Sequence, residues 1–598
     1  MTKQVLERED LKKEYTWDVE SLFANVEEWE KEFKRVEGLV EKFVAHKGRV
    51  GESSQTLLEV LKDRDRLYRS VENVLVYARL RLDEDTRRSK YQSLSDRAMN
   101  LYVEVDERTS FVVPEILAID EEDLKKFLEE NQELSLYKQH LDNIMRQKPH
   151  VLSSREESIM ARVNLIGMSP QNIYNMLTDA DLKFPTIKDE EGKDVEITHG
   201  NFIPLMESKD RNVRKAAFQG LYGVYKGFEN TLAATLSGEL RNNVFNARMR
   251  NYSSTREAAL SANNIPLSVY DNLIKAVHKN LDSMYKYMEI RKRALGLDEL
   301  HMYDLYTPIV EDIDFNIPYE EGMELVYKGL EPLEDEYLSV VEKGFKSRWV
   351  DVYENRGKRS GAYSSGSYDS KPFILLNYQN TLDSVFTLAH EMGHSVHSYF
   401  TRKNQPYIYG NYSIFLAEVA STANEALLLD YMINNTKDKK ERVYLINHYL
   451  ESFRTTVFRQ TMFAEFEKII NEHLEAGHAL TAEYLCSTYK ELNELYYGPN
   501  VVVDDEISIE WARIPHFYLN YYVYQYATGF SAAIDLTQKI LQEKSPAVEN
   551  YLNFLKSGSS DYPINVLKKV GIDMTTEEPV DNAMDLFARL VNELDELI

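Results

Sequence analysis

Glycine and proline, the residues that most readily end a helix, fill only 24 and 16 of the 598 positions. Both counts lie well below average usage, so the chain favours long uninterrupted elements, and the expected fold is mainly α. The apolar spacing agrees. Trp29, Phe33, Val36, Val40 and Phe43 recur at alternating four- and three-residue steps, one face of a helix with Glu and Lys opposite. Similar stripes continue through the first 180 residues, with no fixed repeat. The pattern breaks at 181–200, where Asp181-Leu-Lys-Phe-Pro and Asp194-Val-Glu-Ile-Thr flank Gly192 and read as a small hairpin. This places a boundary between an N-terminal helical lobe, 1–195, and a catalytic domain, 196–598. A second non-helical stretch, Gly357 to Asn377, leads through Gly361-Ala-Tyr-Ser-Ser-Gly into the apolar run Phe373 to Leu376. That run is either one strand of a small sheet or a strand lining a substrate site.

Charge narrows the partners. Lys and Arg number 71 against 98 Asp and Glu, a net charge of −27. A phosphate backbone or an anionic membrane needs a basic footprint, so neither is an expected partner. A hydrophobic fraction of 43% excludes a disordered acidic chain. The single cysteine, Cys486, allows no intramolecular disulfide and suits a reducing compartment. The opening Met1 to Asp10 has no apolar core or small-residue cleavage site, and no run is long enough to span a bilayer. A cytoplasmic protein is expected.

After the Phe373 run comes Thr381-Leu-Asp-Ser-Val-Phe-Thr-Leu-Ala-His390-Glu391-Met-Gly393-His394-Ser-Val-His397. Thr381 or Asp383 can cap a helix. Leu382, Val385, Phe386, Ala389, Gly393, Val396 and Phe400 then mark its buried stripe. His390 and His394 are one turn apart and project from nearly one side, the His-Glu-x-x-His arrangement of a zinc peptidase. Two imidazoles supply two of three protein ligands and leave a fourth position for water. Glu391 projects at an adjacent angle, able to reach that water without binding the metal. About 0.05 chance occurrences of the pattern are expected at this composition. The glycine at 393 marks a place where the helix backbone can approach something closely. A metzincin is excluded, because His397 and Phe400 stand where that pattern needs Gly and a third His. His397 reads as a satisfied helix histidine or a support for the ligands.

No Asp or Glu lies between His397 and Ala417. The next acids, Glu418 and Glu425, are two helical turns apart on a face of small and apolar residues. A lone buried carboxylate costs several kcal/mol, so a metal and its histidines are the natural partners. Glu418 is assigned to zinc and Glu425 to holding a ligand histidine in its tautomer, with the reverse assignment open. Further on, Trp511-Ala-Arg-Ile-Pro-His516-Phe-Tyr518-Leu-Asn-Tyr521-Tyr-Val-Tyr524-Gln-Tyr526 packs five tyrosines into nine residues. Each buried hydroxyl wants a partner, and Tyr and His are donors suited to an oxyanion. The plainer alternative is an aromatic interior helix.

These segments together resemble the oligoendopeptidase F group of the thimet-oligopeptidase-like zinc metallopeptidases. The resemblance also rests on Tyr15-Thr-Trp17-Asp18, Leu22-Phe23, Gly361-Ala-Tyr363, Pro372-Phe-Ile-Leu-Leu-Asn377-Tyr378, Ala417-Glu418-Val-Ala-Ser421, Phe458-Arg-Gln-Thr-Met-Phe463-Ala-Glu-Phe466-Glu467 and Ile514-Pro-His516-Phe-Tyr518. It implies a two-lobed helical enzyme with a deep central channel, a small β-sheet near the active site, and one Zn2+ per chain. Short unfolded peptides would enter and folded proteins would not. It implies Glu418 as third ligand, and His516 and Tyr524 as oxyanion donors. Tyr521 becomes a substrate contact, with Tyr526 competing for these roles. The chain lacks the glycine-rich stretch that mammalian members carry between that histidine and those tyrosines.

Phe373, Asn377 and Gly361 are read as substrate-binding, the strand Phe373–Asn377 pairing with an extended peptide. The expected protein is a monomer or small homo-oligomer hydrolysing oligopeptides, with Glu391 as general base. A zinc carboxypeptidase of related helical fold and a non-enzymatic acidic peptide-binding scaffold are the alternatives.

Overall fold

The Trp29 stripe forms the helix Val26–Phe43, capped by the Asn25 side chain, which accepts from the Glu28 N–H. Trp29, Val36, Val40 and Phe43 point into a core shared with the helices Ser54–Glu84 and Ser89–Thr109. The computed structural model describes residues 5–310, 313 and 315–598. Residues 1–4, part of the N-terminus read above as leaderless, lie outside them. Among the described residues helices dominate, with two two-stranded sheets and one three-stranded sheet. No helix there is long and apolar enough to cross a membrane.

The chain forms two units, each from three separate stretches. The first takes Met1–Pro149, Asp314–Tyr431 and Leu536–Gly571. The second takes His150–Ile313, Met432–Asp535 and Ile572–Ile598. Residue 195 falls inside the second unit. It sits on the expected hairpin, Thr186–Lys188 antiparallel to Asp194–Glu196, with Gly192 at a φ of +76° in the turn.

In the first unit the N-terminal motif is scaffolding. Trp17 is buried and donates its indole N–H to Glu84 at 2.8 Å. The Tyr15 carbonyl accepts from Val352 N–H, and Asp18 N–H donates to the Arg348 carbonyl. Asp351 is fully buried and is held by Lys358 at 2.7 Å and Arg8 at 2.8 Å, the pairing a buried charge requires. These contacts fix the strand Val350–Asp351, which runs parallel to Phe373–Leu375, and the latter pairs antiparallel with Tyr363–Ser365. The apolar run is thus the central strand of a small sheet.

The long helix Leu382–Asn404 follows, capped by the Thr381 hydroxyl. The expected stripe from Leu382 to Phe400 is its buried face. It meets the helix Ile414–Asn435 at Gly393, where a Cβ would lie 2.6 Å from Ser421 Cα and 2.8 Å from the Ala420 carbonyl oxygen. Both obstacles are backbone, so the helices cross at a distance only glycine permits. Beside the crossing, Asn424 donates to the Ala389 carbonyl at 3.0 Å and accepts from the buried Tyr337 hydroxyl at 2.7 Å.

In the second unit, charges are buried in networks. Glu451 accepts from Arg291, Arg454 and Tyr287; burial opposes its ionisation, but the two guanidiniums outweigh it and hold the carboxyl down to about 2. Glu510 accepts from Tyr222, Tyr489 and Arg459.

The substitution Gly393→Ala is expected to cost about 1–3 kcal/mol of stability, the usual range for overpacking. Because the crossing sets the spacing of the residues described next, it is also expected to weaken metal binding. Thermal melting and equilibrium dialysis against zinc measure the two effects, and a variant matching the parent in both would show that the crossing tolerates a Cβ.

Candidate metal centre

His390 and His394 lie one turn apart on the Leu382–Asn404 helix, and Glu418 and Glu425 approach from Ile414–Asn435. The Nε2 atoms of His390 and His394 are 3.1 Å apart, and Glu418 Oε2 is 3.4 Å and 3.7 Å from them. These three donors form the one group of metal-ligating side chains within such mutual reach among the described residues. Ligands about 2.1 Å from zinc in an ideal tetrahedron have donor–donor edges of about 3.4 Å. The observed triangle has that size.

The tautomers point the same way. His390 Nδ1 is 2.5 Å from Glu425 Oε1, which commits that nitrogen's proton to the carboxylate and leaves a lone pair on Nε2. His394 hydrogen-bonds the Ala417 backbone. Lone pairs and a carboxylate oxygen therefore converge on one spot, an arrangement that only a proton or a cation satisfies. Burial acts against protonating His390, but its bonds to Glu418 and Glu425 prevail and push it up to about 10. Burial and the neighbouring His390 take His394 down to about 4. Within the cluster one imidazole holds a proton at the other's expense, and a divalent ion would stand in for it. The hydrogen bond to His390 keeps Glu418 below its ordinary range.

Glu391 lies beside this triangle but outside it, 7% exposed. Burial pushes its carboxyl up to about 7, opposed by His390 and reinforced by Glu418 and Glu425, and Ser364 N–H is its backbone partner. Its Oε2 is buried without a partner, an oxygen free to take a proton. His397 is not joined to the ligands by a hydrogen bond. It stacks on Tyr412 at 3.7 Å and leans on Phe554, with Nδ1 unpartnered, and burial takes it down to about 3.

The strand reading needs correction. Phe373 is fully buried and both edges of its strand are paired, so no peptide can add to it. The edge strand is Tyr363–Ser365, and its Ser364 bonds Ser395 through the hydroxyls at 2.8 Å and Glu391 through the backbone. Asn377 is a strap: its Nδ2 donates to the carbonyls of Arg359 and Gly361. Gly361 and Asn377 do line an open cavity of about 320 Å³ with Gln379, Asp383 and Thr387 at the start of the histidine helix.

The tyrosine cluster belongs to the second unit. His516 lies on the short turn Pro515–Tyr518, and its Nε2 is 3.5 Å from the Tyr526 hydroxyl. Tyr522 stacks beside His516, ring centres 6.2 Å apart, and meets Tyr526 edge-on at 5.5 Å. Tyr521 and Tyr524, given as substrate contact and oxyanion donor, are each 3% exposed and pack on Tyr270. Asn520 and Tyr521 both have left-handed backbones, at φ of +41° and +57°. Two such residues in succession are strained, and the Tyr521 N–H is held at 2.5 Å by the buried Glu467. The sequence reading missed Tyr522, Ser364 and the Ala417 backbone. Tyr522 stood inside the cluster already singled out; nothing local marks the other two.

The model of peptidase family M3 matches residues 204–586, and that of oligopeptidase F matches 115–184. Oligopeptidase PepF of Bacillus subtilis is 50% identical, covering all of this chain and 89% of that protein. Group B oligopeptidase PepB of Streptococcus agalactiae is 46% identical over 99% of this chain and 98% of its own. The crystal structure of oligoendopeptidase-F from Enterococcus faecium superposes with a TM-score of 0.73 at 42% identity, covering 96% of this chain and 99% of that one. The chain belongs to peptidase family M3. As a member it is a metalloendopeptidase, a hydrolase of peptide bonds that uses a metal ion.

Glu467 provides a test of the strained turn. Its carboxyl ordinarily ionises near 4.5; burial pushes it up to about 8, with the Tyr521 N–H working the other way. The folded chain therefore keeps a proton that the unfolded chain releases. Stability contributed by this protonated site is lost progressively as pH rises from about 5 to about 8. In Glu467→Gln the amide oxygen still accepts from Tyr521 but cannot ionise. The melting-temperature gap between variant and parent is expected to widen in the variant's favour from about pH 5 to about pH 9; a constant gap would mean Glu467 is already ionised when folded.

Proposed function

We propose that the chain is a zinc-dependent endopeptidase that cleaves short unfolded oligopeptides inside an internal channel, with one Zn2+ held by His390, His394 and Glu418. The observation that carries this reading is the triangle of three acceptors, of zinc-site dimensions, with Glu391 beside it. Histidine and carboxylate donors suit zinc. Bound zinc supplies a Lewis acid that lowers the pKa of a water ligand to about 7.

The protein's own groups do the rest. Glu425 fixes the His390 tautomer and the Ala417 backbone orients His394. Glu391 accepts a proton from the attacking water on its unpartnered Oε2 and passes it to the leaving amine. Its raised affinity for a proton supports both transfers. His516 donates to the developing oxyanion, with a tyrosine beside it. Exposure and contact with His516 favour Tyr526 and Tyr522 for that role over Tyr524. An extended substrate aligns along the edge strand Tyr363–Ser365, reading backbone rather than side chains, next to the Gly361–Asn377 cavity.

The division into a lobe over 1–195 and a catalytic domain over 196–598 is supported by the family models, which meet between 184 and 204. A cytoplasmic location, peptides as the sole partners, and a monomer or small homo-oligomer complete the reading.

Glu391→Gln is expected to retain zinc while turnover falls about hundredfold or more. Glu418→Ala is expected to lose zinc at free-metal levels that saturate the parent. Glu425→Gln should weaken metal binding about 10–100-fold. Zinc stoichiometry after dialysis, together with mass spectrometry of a digested peptide ladder, checks all three. Full turnover by Glu391→Gln would remove it as base, and cleavage confined to the last bond would indicate a carboxypeptidase.

A further inference from the structure

Glu239 lies in the middle of the helix Glu229–Met249, in the second unit, and is only 8% exposed. No hydrogen bond or ion pair reaches its carboxylate from any described residue. Burial alone acts on it, pushing it up to about 7. Unlike Glu467 Oε2, its oxygens are not sealed from solvent.

Its surroundings are polar and incomplete. Thr235, Glu239 and Asn243 follow at four-residue intervals and share one helix face. Asn243 Nδ2 is buried with no partner. The Thr235 hydroxyl is 2.9 Å from that of Tyr518, on which Tyr174 stacks with ring centres 4.4 Å apart. Tyr518 feels the Glu239 charge and lies two residues beyond His516.

A carboxylate this far inside the fold, with no protein partner, is partly desolvated at a cost, and such a group calls for an explanation. A single carboxylate is too few for a calcium site. A primary ammonium carries one positive charge and three donors. The carboxylate, the Tyr518 oxygen and the Asn243 amide oxygen offer three acceptors.

We propose that Glu239, Asn243 and Tyr518 form a subsite for a primary ammonium group of the peptide substrate, either its free amino terminus or a lysine side chain. This rests on the chain acting on oligopeptides through the His516 cluster. Such a subsite selects peptides by a charge at a set distance from the scissile bond, without regard to the intervening sequence.

The test uses the zinc-loaded full chain and four peptides of one sequence. The amino terminus is free or acetylated, and the lysines are kept or replaced by norleucine. Removing the recognised ammonium is expected to lower kcat/KM about tenfold in the parent, the worth of a hydrogen-bonded charge. The acetyl arm identifies the terminus as the source and the norleucine arm the side chain. In Glu239→Gln the ratio between charged and neutral peptides is expected to fall to near one. In Asn243→Asp, which adds a second carboxylate, it should widen, so a poorly folding Glu239 variant leaves the question answerable.

Equal kcat/KM for all four peptides in the parent overturns the subsite, as does discrimination that survives in Glu239→Gln. Absence of any hydrolysis counts instead against the functional reading. Equilibrium binding of the same four peptides to the zinc-free chain then decides the subsite alone, tenfold tighter binding of a charged form supporting it and equal binding overturning it.

Discussion

The metal centre depends on a contact between two backbones. At Gly393 the histidine helix presses against Ser421 and Ala420 with no side chain between them. Glu418 and Glu425 lie three residues before and four after Ser421, about one turn to either side of the contact. One can thus reach the Nε2 side of His390 and the other its Nδ1 side. Were the helices at an ordinary interaxial separation of about 8–10 Å, the same carboxylates would need longer, looser side chains to close the triangle. Asn424, on the same stretch, locks the approach by bonding the Ala389 carbonyl one residue before His390. The donor spacing is set by main chain and a buried amide, which hold position better than flexible side chains do.

What could be read from the sequence is what local physics decides. The Trp29 stripe, the Gly192 hairpin, the Thr381 cap and the one-turn spacing of His390 and His394 all depend on neighbours within about four residues. Gly393 announced a close approach, though not its partner. Glu418 and Glu425 were found because a carboxylate on an apolar face must be explained. Strand neighbours, by contrast, are long-range facts. Phe373–Leu375 is flanked by Tyr363–Ser365 and Val350–Asp351, so an apolar run equally compatible with an exposed binding strand is an interior one.

The placement of the tyrosines was hidden for a different reason. Spacing arguments assume one continuous backbone conformation, and the left-handed pair Asn520–Tyr521 interrupts it between His516 and the helix that begins at Tyr524. Phase is lost across such a pair, and Tyr524, the donor the resemblance implies, packs around Tyr270 while Tyr522 and Tyr526 lie beside His516. Neither Asn nor Tyr signals this conformation as glycine would. The buried Glu467 that holds the turn is more than fifty residues earlier in the chain. The two interleaved units are equally invisible to a linear reading, since each collects its core from three distant stretches.

Acids inside the molecule differ in how their charge is met. Asp351, Glu451 and Glu510 are fully paired, and their pKa values lie below the ordinary range despite burial. They repay desolvation with several charge-assisted bonds each, and they sit where strands and helices are joined. Glu391, Glu467 and Glu239 are raised instead, because burial is not matched by a cation. A chain of −27 net charge has no shortage of surface positions for acids, so three left unmatched inside require a reason. For Glu391 the reason proposed above is proton transfer beside the metal triangle, and Glu467 holds the strained turn at Tyr521. Glu239 touches neither, and its oxygens are not sealed from solvent. For Glu239 the subsite proposed above supplies the reason, a cation brought by the substrate.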